Sequence, residues 1–102
     1  PQGRREEIET QFLLAYAHIN RVAGPLTGGQ TDGVQHERLI LELEVWLRHR
    51  DALEAYYHAE GVVAEPVYQS GLVVNVVFRF GSLFRTPHPD RISPVFEARV
   101  SL

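Results

Sequence analysis

The chain has 102 residues, 44% of them hydrophobic and 23% charged, enough for one domain with a modest core and unlike a disordered segment. A formal net charge of -3 argues against a protein that lives on nucleic acid, where a basic excess is expected. The absence of Cys excludes a disulfide framework and thiolate chemistry, and no apolar run approaches the roughly 18 residues of a membrane span.

No secretory leader is visible, so the expected setting is cytoplasmic or virion. All ten basic residues are Arg. That suits forked ion pairs at interfaces, and it equally suits a GC-rich coding sequence.

The first ten residues are polar. Ile8, Phe12, Ala15, Ile19 and Val22 then recur at helical spacing, and Gly24-Pro25 reads as a stop. Phe12, Leu14, Tyr16 and His18 also alternate with Leu13, Ala15, Ala17 and Ile19. Ala and Leu content favours a helix over 4–22 rather than a strand. Residues 24–35 read as a loop. Gly28, Gly29 and Gly33 lack the spacing and the Lys-Ser or Lys-Thr of a phosphate-cradling turn, so a connection is expected there.

The stretch from Glu37 to Arg48 carries two periods at once. At period two, Leu39, Leu41, Leu43, Val45 and Leu47 form an unbroken apolar row. At period 3.6, Leu39, Leu43, Trp46 and Leu47 form a stripe from which Leu41 and Val45 point away. Strict alternation predicts a strand over 37–48. Asp51-Ala52-Leu53-Glu54 has the form of a capping box and predicts a helix over 52–60, with Gly61 as its C′ residue.

Residues 62–68 suit a short strand, which Pro66 demotes to an edge or an irregular connection. Gln69-Ser70-Gly71 turns the chain into a second long strand over 71–84. After the Thr86-Pro87-His88-Pro89-Asp90 tip, a last strand runs over 92–102, antiparallel to it. The predicted architecture is α+β. An antiparallel sheet of three to four strands (37–48, 62–68, 71–84, 92–102) joins a helix at 52–60 and an N-terminal segment 4–22, in a single domain 1–102.

Motifs that carry chemistry were sought in turn. His49-Arg50-Asp51 spells the start of a kinase catalytic loop, yet nothing else of that set is present, and turn plus cap explains it. The histidines at 18, 36, 49, 58 and 88 show no paired ligand spacing. Ser70, Ser82, Ser93 and Ser101 lie in no nucleophile elbow. Glu42 and Glu44 would share one strand face, where cross-strand ion pairing explains them better than acid–base catalysis. No catalytic, cofactor-binding or metal-binding residue is assigned, and no cofactor is expected. The residues singled out are instead a candidate interface: Arg48 and Arg50 beside the strand-to-helix turn, Arg79 on the second strand, and Arg85, His88, Asp90 and Arg91 at the tip.

The succession His36-Glu-Arg-Leu-Ile-Leu-Glu-Leu-Glu-Val-Trp-Leu-Arg48, a short helix, Gly71-Leu-Val-Val-Asn-Val-Val-Phe-Arg79, an Arg-Thr-Pro-x-Pro-Asp loop and Pro94-Val-Phe-Glu-Ala-Arg-Val100 resembles the tail-terminator and related minor tail proteins of long-tailed bacteriophages. The resemblance covers residues 36–102. It implies a ring-forming structural protein that completes the tail tube, without catalysis or cofactor, and it assigns no individual residue a role.

The expectation is therefore a non-enzymatic structural or assembly protein that forms homo-oligomers and meets other structural proteins, with no membrane or nucleic-acid partner. The alternative is a small-molecule-binding domain or small enzyme with a pocket lined by Trp46, Tyr56, Tyr57 and Phe78. A nucleic-acid module would need a basic stripe from Arg48, Arg50, Arg79 and Arg85 against the acidic total.

Overall fold

The computed structural model describes residues 2–84 and 95–101. Two long helices come first, α1 (Gln2–Thr27) and α2 (Gly33–Ala59). They are followed by three strands, β1 (Val62–Gln69), β2 (Leu72–Phe80) and β3 (Val95–Arg99), with a 3-10 turn at Ser82–Phe84. The strands form one antiparallel sheet in the order β1-β2-β3. The expected α+β class and its antiparallel sheet hold, with three strands among the described residues.

Helix α1 forms for the reason its spacing predicts. Ile8, Phe12, Ala15, Tyr16, Ile19 and Val22 lie on one stripe and are all buried. Gly24-Pro25 does not end it. Pro25 sits in the last turn, and the helix runs on to Thr27, where the Gly28 N–H still donates to Gly24 O at 3.2 Å. The chain is released at Gly29, whose φ of +67° suits a residue without Cβ.

The strand expected at 37–48 is helical, and so is the turn expected before residue 52. Both lie inside α2. The alternating row is two helical rows seen together. Leu39, Leu43 and Leu47 are spaced by four on one side and half-buried, Leu43 and Leu47 against the core. Leu41 and Val45 are spaced by four on the other side and exposed. Residues two apart share a face on a strand but differ by about 200° on a helix, so the single row of a strand becomes two opposite rows here.

Leu, Glu and Arg also fill the stretch with good helix formers. The start signal lies earlier than Asp51. Asp32 is the N-cap, and its Oδ1 accepts from the Gln35 N–H at 2.9 Å. Asp32-Gly33-Val34-Gln35 is thus the capping sequence that residues 24–35 contained.

The two helices lie antiparallel along their length. Arg4 meets Glu60 at 2.9 Å, His18 stacks on Trp46 with centroids 4.0 Å apart, and Arg21 meets Glu42 at 2.5 Å. At these contacts partners move down the second helix as they move up the first, as antiparallel helices require. The sheet packs across both helices. Val62, Val73, Val76, Phe78 and Phe80 point inward with Leu53 and Tyr57 of α2. Phe12 is the hub, its ring centroid 5.8 Å from that of Phe78 and 5.9 Å from that of Tyr57.

The β1–β2 hairpin closes at Ser70-Gly71, both with positive φ (54° and 82°), a two-residue turn whose twist matches the strands. Pro66 lies on β1, an edge strand as expected. Between Val67 and Tyr68 the register skips Val74 of β2, so Val73 turns inward. There Asn20 meets it. The Asn20 Nδ2 donates to Val73 O at 2.7 Å, and the Val73 N–H donates to Asn20 Oδ1 at 2.9 Å. The ladder with β3 reaches Asn75↔Arg99 and stops two residues short of Val73. A side-chain amide of the helix stands in for a strand partner.

Candidate interface surface

Helix α2 presents two apolar rows on nearly opposite sides. One contains Leu43, Trp46, Leu47, Leu53 and Tyr57, which pack on the core, and begins at the half-buried Leu39. The other begins with Val34, Leu41 and Val45, which are 67%, 63% and 60% exposed. A surface helix of a lone subunit normally keeps its second side polar. Here that side continues with Ala52, Ala55 and Ala59, all exposed.

The second row follows a four-three spacing along the whole helix. Arg38 and Arg48 occupy the two positions of the row that are neither aliphatic nor alanine, and both are exposed. Glu37, Glu44 and Asp51 flank it seven residues apart, giving one acidic border. Arg48 bonds within its own helix to Glu44 at 3.6 Å. That pair is solvent-exposed and worth a few tenths of a kcal/mol, about the value for such helix pairs.

The expected interface residues are dispersed. Arg48 and Arg50 flank no turn and lie about 200° apart around α2. Arg48 belongs to the free row. Arg50 faces the other way, 2.9 Å from Asp51 and 3.7 Å from Glu54, whose Oε1 also accepts from the Tyr16 hydroxyl at 3.4 Å. Burial alone would pull the Arg50 guanidinium down, but Asp51, Tyr16 and Glu54 together hold it above its ordinary value. Both of its acidic partners are on α2 itself. Arg79 stands on the outer face of the sheet, paired diagonally with Glu65 of β1. Arg85, His88, Asp90 and Arg91 lie outside the described residues.

Glu42 and Glu44 do not share a face. Glu42 is bonded to Arg21 of α1, which holds its carboxyl below the ordinary value, and Glu44 pairs with Arg48. His49-Arg50-Asp51 sits inside α2 as neither turn nor cap. Among the described residues, no three His, Asp or Glu side chains converge as a metal site would need. No helix among them is long and apolar enough to cross a membrane.

The four aromatics of the alternative pocket are not gathered. Tyr57 and Phe78 are buried against Phe12, Tyr56 is exposed, and Trp46 lies far along α2 between His18 and His49. A shallow concavity of about 650 Å³ lies elsewhere, on the sheet beside Val67, Gln69, Asn75, Glu97 and Arg99. Asn75 Oδ1 is buried there with no hydrogen-bond partner among the described residues.

The free row of α2 is hidden from sequence reasoning because an expected strand over 37–48 separates Val34, in the expected loop, from Ala52, Ala55 and Ala59 in the expected helix. A helical wheel of 33–59 would have shown it. No protein family, curated protein or solved structure matches the chain.

Proposed function

We propose that this chain is a non-enzymatic assembly module that works through protein–protein contacts and forms homo-oligomers. The observation that carries the reading is the second apolar row of α2, with Val34, Leu41 and Val45 more than half exposed along one line. Exposed apolar residues aligned on one helix face, here interrupted by Arg38 and Arg48, suit a face that another chain covers. The narrower form of the proposal, a ring subunit that completes the tail of a long-tailed phage, loses one of its supports. Val45-Trp46 lies in a helix, so that form draws only on the segments from Gly71 to Arg79 and from Pro94 to Val100.

Size-exclusion chromatography with light scattering over a concentration series tests the reading. A mass above that of one chain, rising with concentration, is expected. A strict monomer at every concentration would remove the homo-oligomer.

The second reading is a small-ligand-binding domain, favoured by Asn75 Oδ1, which has no partner among the described residues and lies in the sheet concavity. A ligand-dependent rise in melting temperature that Asn75→Ala abolishes would support it over the first.

A further inference from the structure

We infer that His18 and Arg21 of α1 compete for the Glu42 carboxylate of α2, and that a proton on His18 passes Glu42 from Arg21 to His18. The polar contact between the two helices is thereby sensitive to pH.

Arg21 lies one turn beyond His18 on α1 and reaches in two directions. Its Nη2 donates to Glu42 Oε1 at 2.5 Å, and its Nε and Nη2 lie 3.4 and 3.3 Å from His18 Nδ1. A guanidinium has donors only, so His18 Nδ1 has to be the acceptor. That makes the imidazole neutral, with its one proton on Nε2.

Helix α2 meets these groups with a ring stack. The His18 ring lies on Trp46 with centroids 4.0 Å apart and 5° between the planes, and His49 stands edge-on to Trp46 at 5.8 Å. Glu42 sits one turn before Trp46. Arg21 first, then the Trp46 indole N–H and the neighbouring His18, favour its ionised form. The charged or titratable groups around His18 are thus Arg21 on its own helix, Glu42 on α2 and, across the indole, His49.

A proton on His18 Nδ1 turns that acceptor into a donor. Both bonds from Arg21 are lost, and an imidazolium then stands against a guanidinium. The neighbours on α2 pull the other way. The indole face attracts a cation, and Glu42 is an anion close enough to feel the His18 charge. Stacking holds the His18 ring in place, whereas the Arg21 side chain is 53% exposed on a flexible stem. Arg21 is therefore the partner that leaves. Each state keeps one ion pair across the helices, Arg21 with Glu42 when His18 is neutral and His18 with Glu42 when it is charged.

Trp46 is the single Trp of the chain, so its fluorescence reports on this contact alone. An imidazolium stacked on indole quenches emission more strongly than a neutral imidazole does. The folded chain should lose Trp46 emission in one step as pH falls from about 8 to about 5, with unchanged far-ultraviolet dichroism. His18→Gln should abolish the step and His49→Gln should keep it. Arg21→Gln removes the competing cation and should move the step to higher pH, and Glu42→Gln removes the anion and should move it lower. None of the four positions is buried, and dichroism checks that each variant is folded.

Nitrogen-15 spectra of the wild-type side chains complete the test. Above the step the His18 proton should be on Nε2, and below it the Arg21 Nε–H should exchange faster with water. The exchange is overturned by a chain with no step, by a step that survives His18→Gln, or by Arg21→Gln and Glu42→Gln shifts that are not opposite in sign. A neutral His18 protonated on Nδ1, or an Arg21 Nε–H equally protected on both sides of the step, would overturn it as well.

Discussion

Replacing Asn20 with Ala removes the one side chain that completes the backbone of β2 at Val73. The amide is buried, 4% exposed, and makes two bonds to the same residue, at 2.7 and 2.9 Å. Each such bond contributes about 1 kcal/mol net, but truncation also strands the Val73 N–H and C=O in a site closed to water, at about 1–3 kcal/mol per group. Partial relaxation at the strand end reduces the sum, and a loss of about 3 kcal/mol is expected.

That is a large share of the roughly 5–15 kcal/mol by which such domains are stable. It corresponds to a fall of roughly 15 °C in melting temperature for a chain of this size. Urea unfolding followed by far-ultraviolet dichroism measures the difference. Asn20→Asp provides the control. It keeps an acceptor for the Val73 N–H but faces a carboxylate to the Val73 carbonyl, so it should be as damaging as Ala at neutral pH. Protonation gives the carboxyl a donor again, so the Asp variant should recover part of the loss in mild acid. A cost below about 0.5 kcal/mol for Asn20→Ala would show that the bonds are not part of the stability of the sheet.

Leu53 and Leu41 sit on opposite rows of the same helix, 8% and 63% exposed. Leu53→Ala should cost about 2–4 kcal/mol and Leu41→Ala less than about 0.5 in dilute denaturant titrations, and equal costs would contradict the assignment of the two rows. At Gly81 an added Cβ would stand 2.9 Å from the Gly61 carbonyl oxygen, which accepts the Gly81 N–H at 2.7 Å. Gly81→Ala should therefore destabilise by about 1–3 kcal/mol, whereas Gly3→Ala, in open space, should be neutral or slightly stabilising.

Burial, then the charge of Glu54, pushes the Tyr16 phenol well above its ordinary value near 10. The folded chain holds that proton more tightly than the unfolded one. The contribution is whole below about pH 10 and drains away as pH rises beyond it. Wild type should lose more stability than Tyr16→Phe between about pH 9 and 11, and parallel profiles would refute the linkage.

Much of the fold is legible where local pattern and final environment agree. The stripe Ile8, Phe12, Ala15, Ile19 and Val22 is helical because one partner surface covers one side of it. Ser70-Gly71 makes the hairpin because both residues take positive φ there. Pro66 marks β1 as an edge because it has no N–H to donate. The candidate surface was less legible. Of the arginines selected, Arg48 is in the free row, while Arg50 and Arg79 answer acids of their own chain. Ion-pair partners depend on which elements become neighbours, and a list of charges does not contain that.

What the sequence by itself determined is therefore the α1 helix, the strand-forming character of 62–80 with its turn, and the α+β class. The conformation of 37–48 was decided by the tertiary structure. Five alternating apolar residues fit a strand with one buried face or a helix with two apolar sides, and spacing cannot choose between them. The choice falls to α1, a continuous 26-residue helix beside α2, and to the core against which Leu43, Trp46 and Leu47 pack. That pairing leaves Leu41 and Val45 turned outward. The same holds for Asn20, unremarkable within a helix until the bulge in β2 brings Val73 to it. Periodicity records which residues share a face, and only packing decides what that face meets.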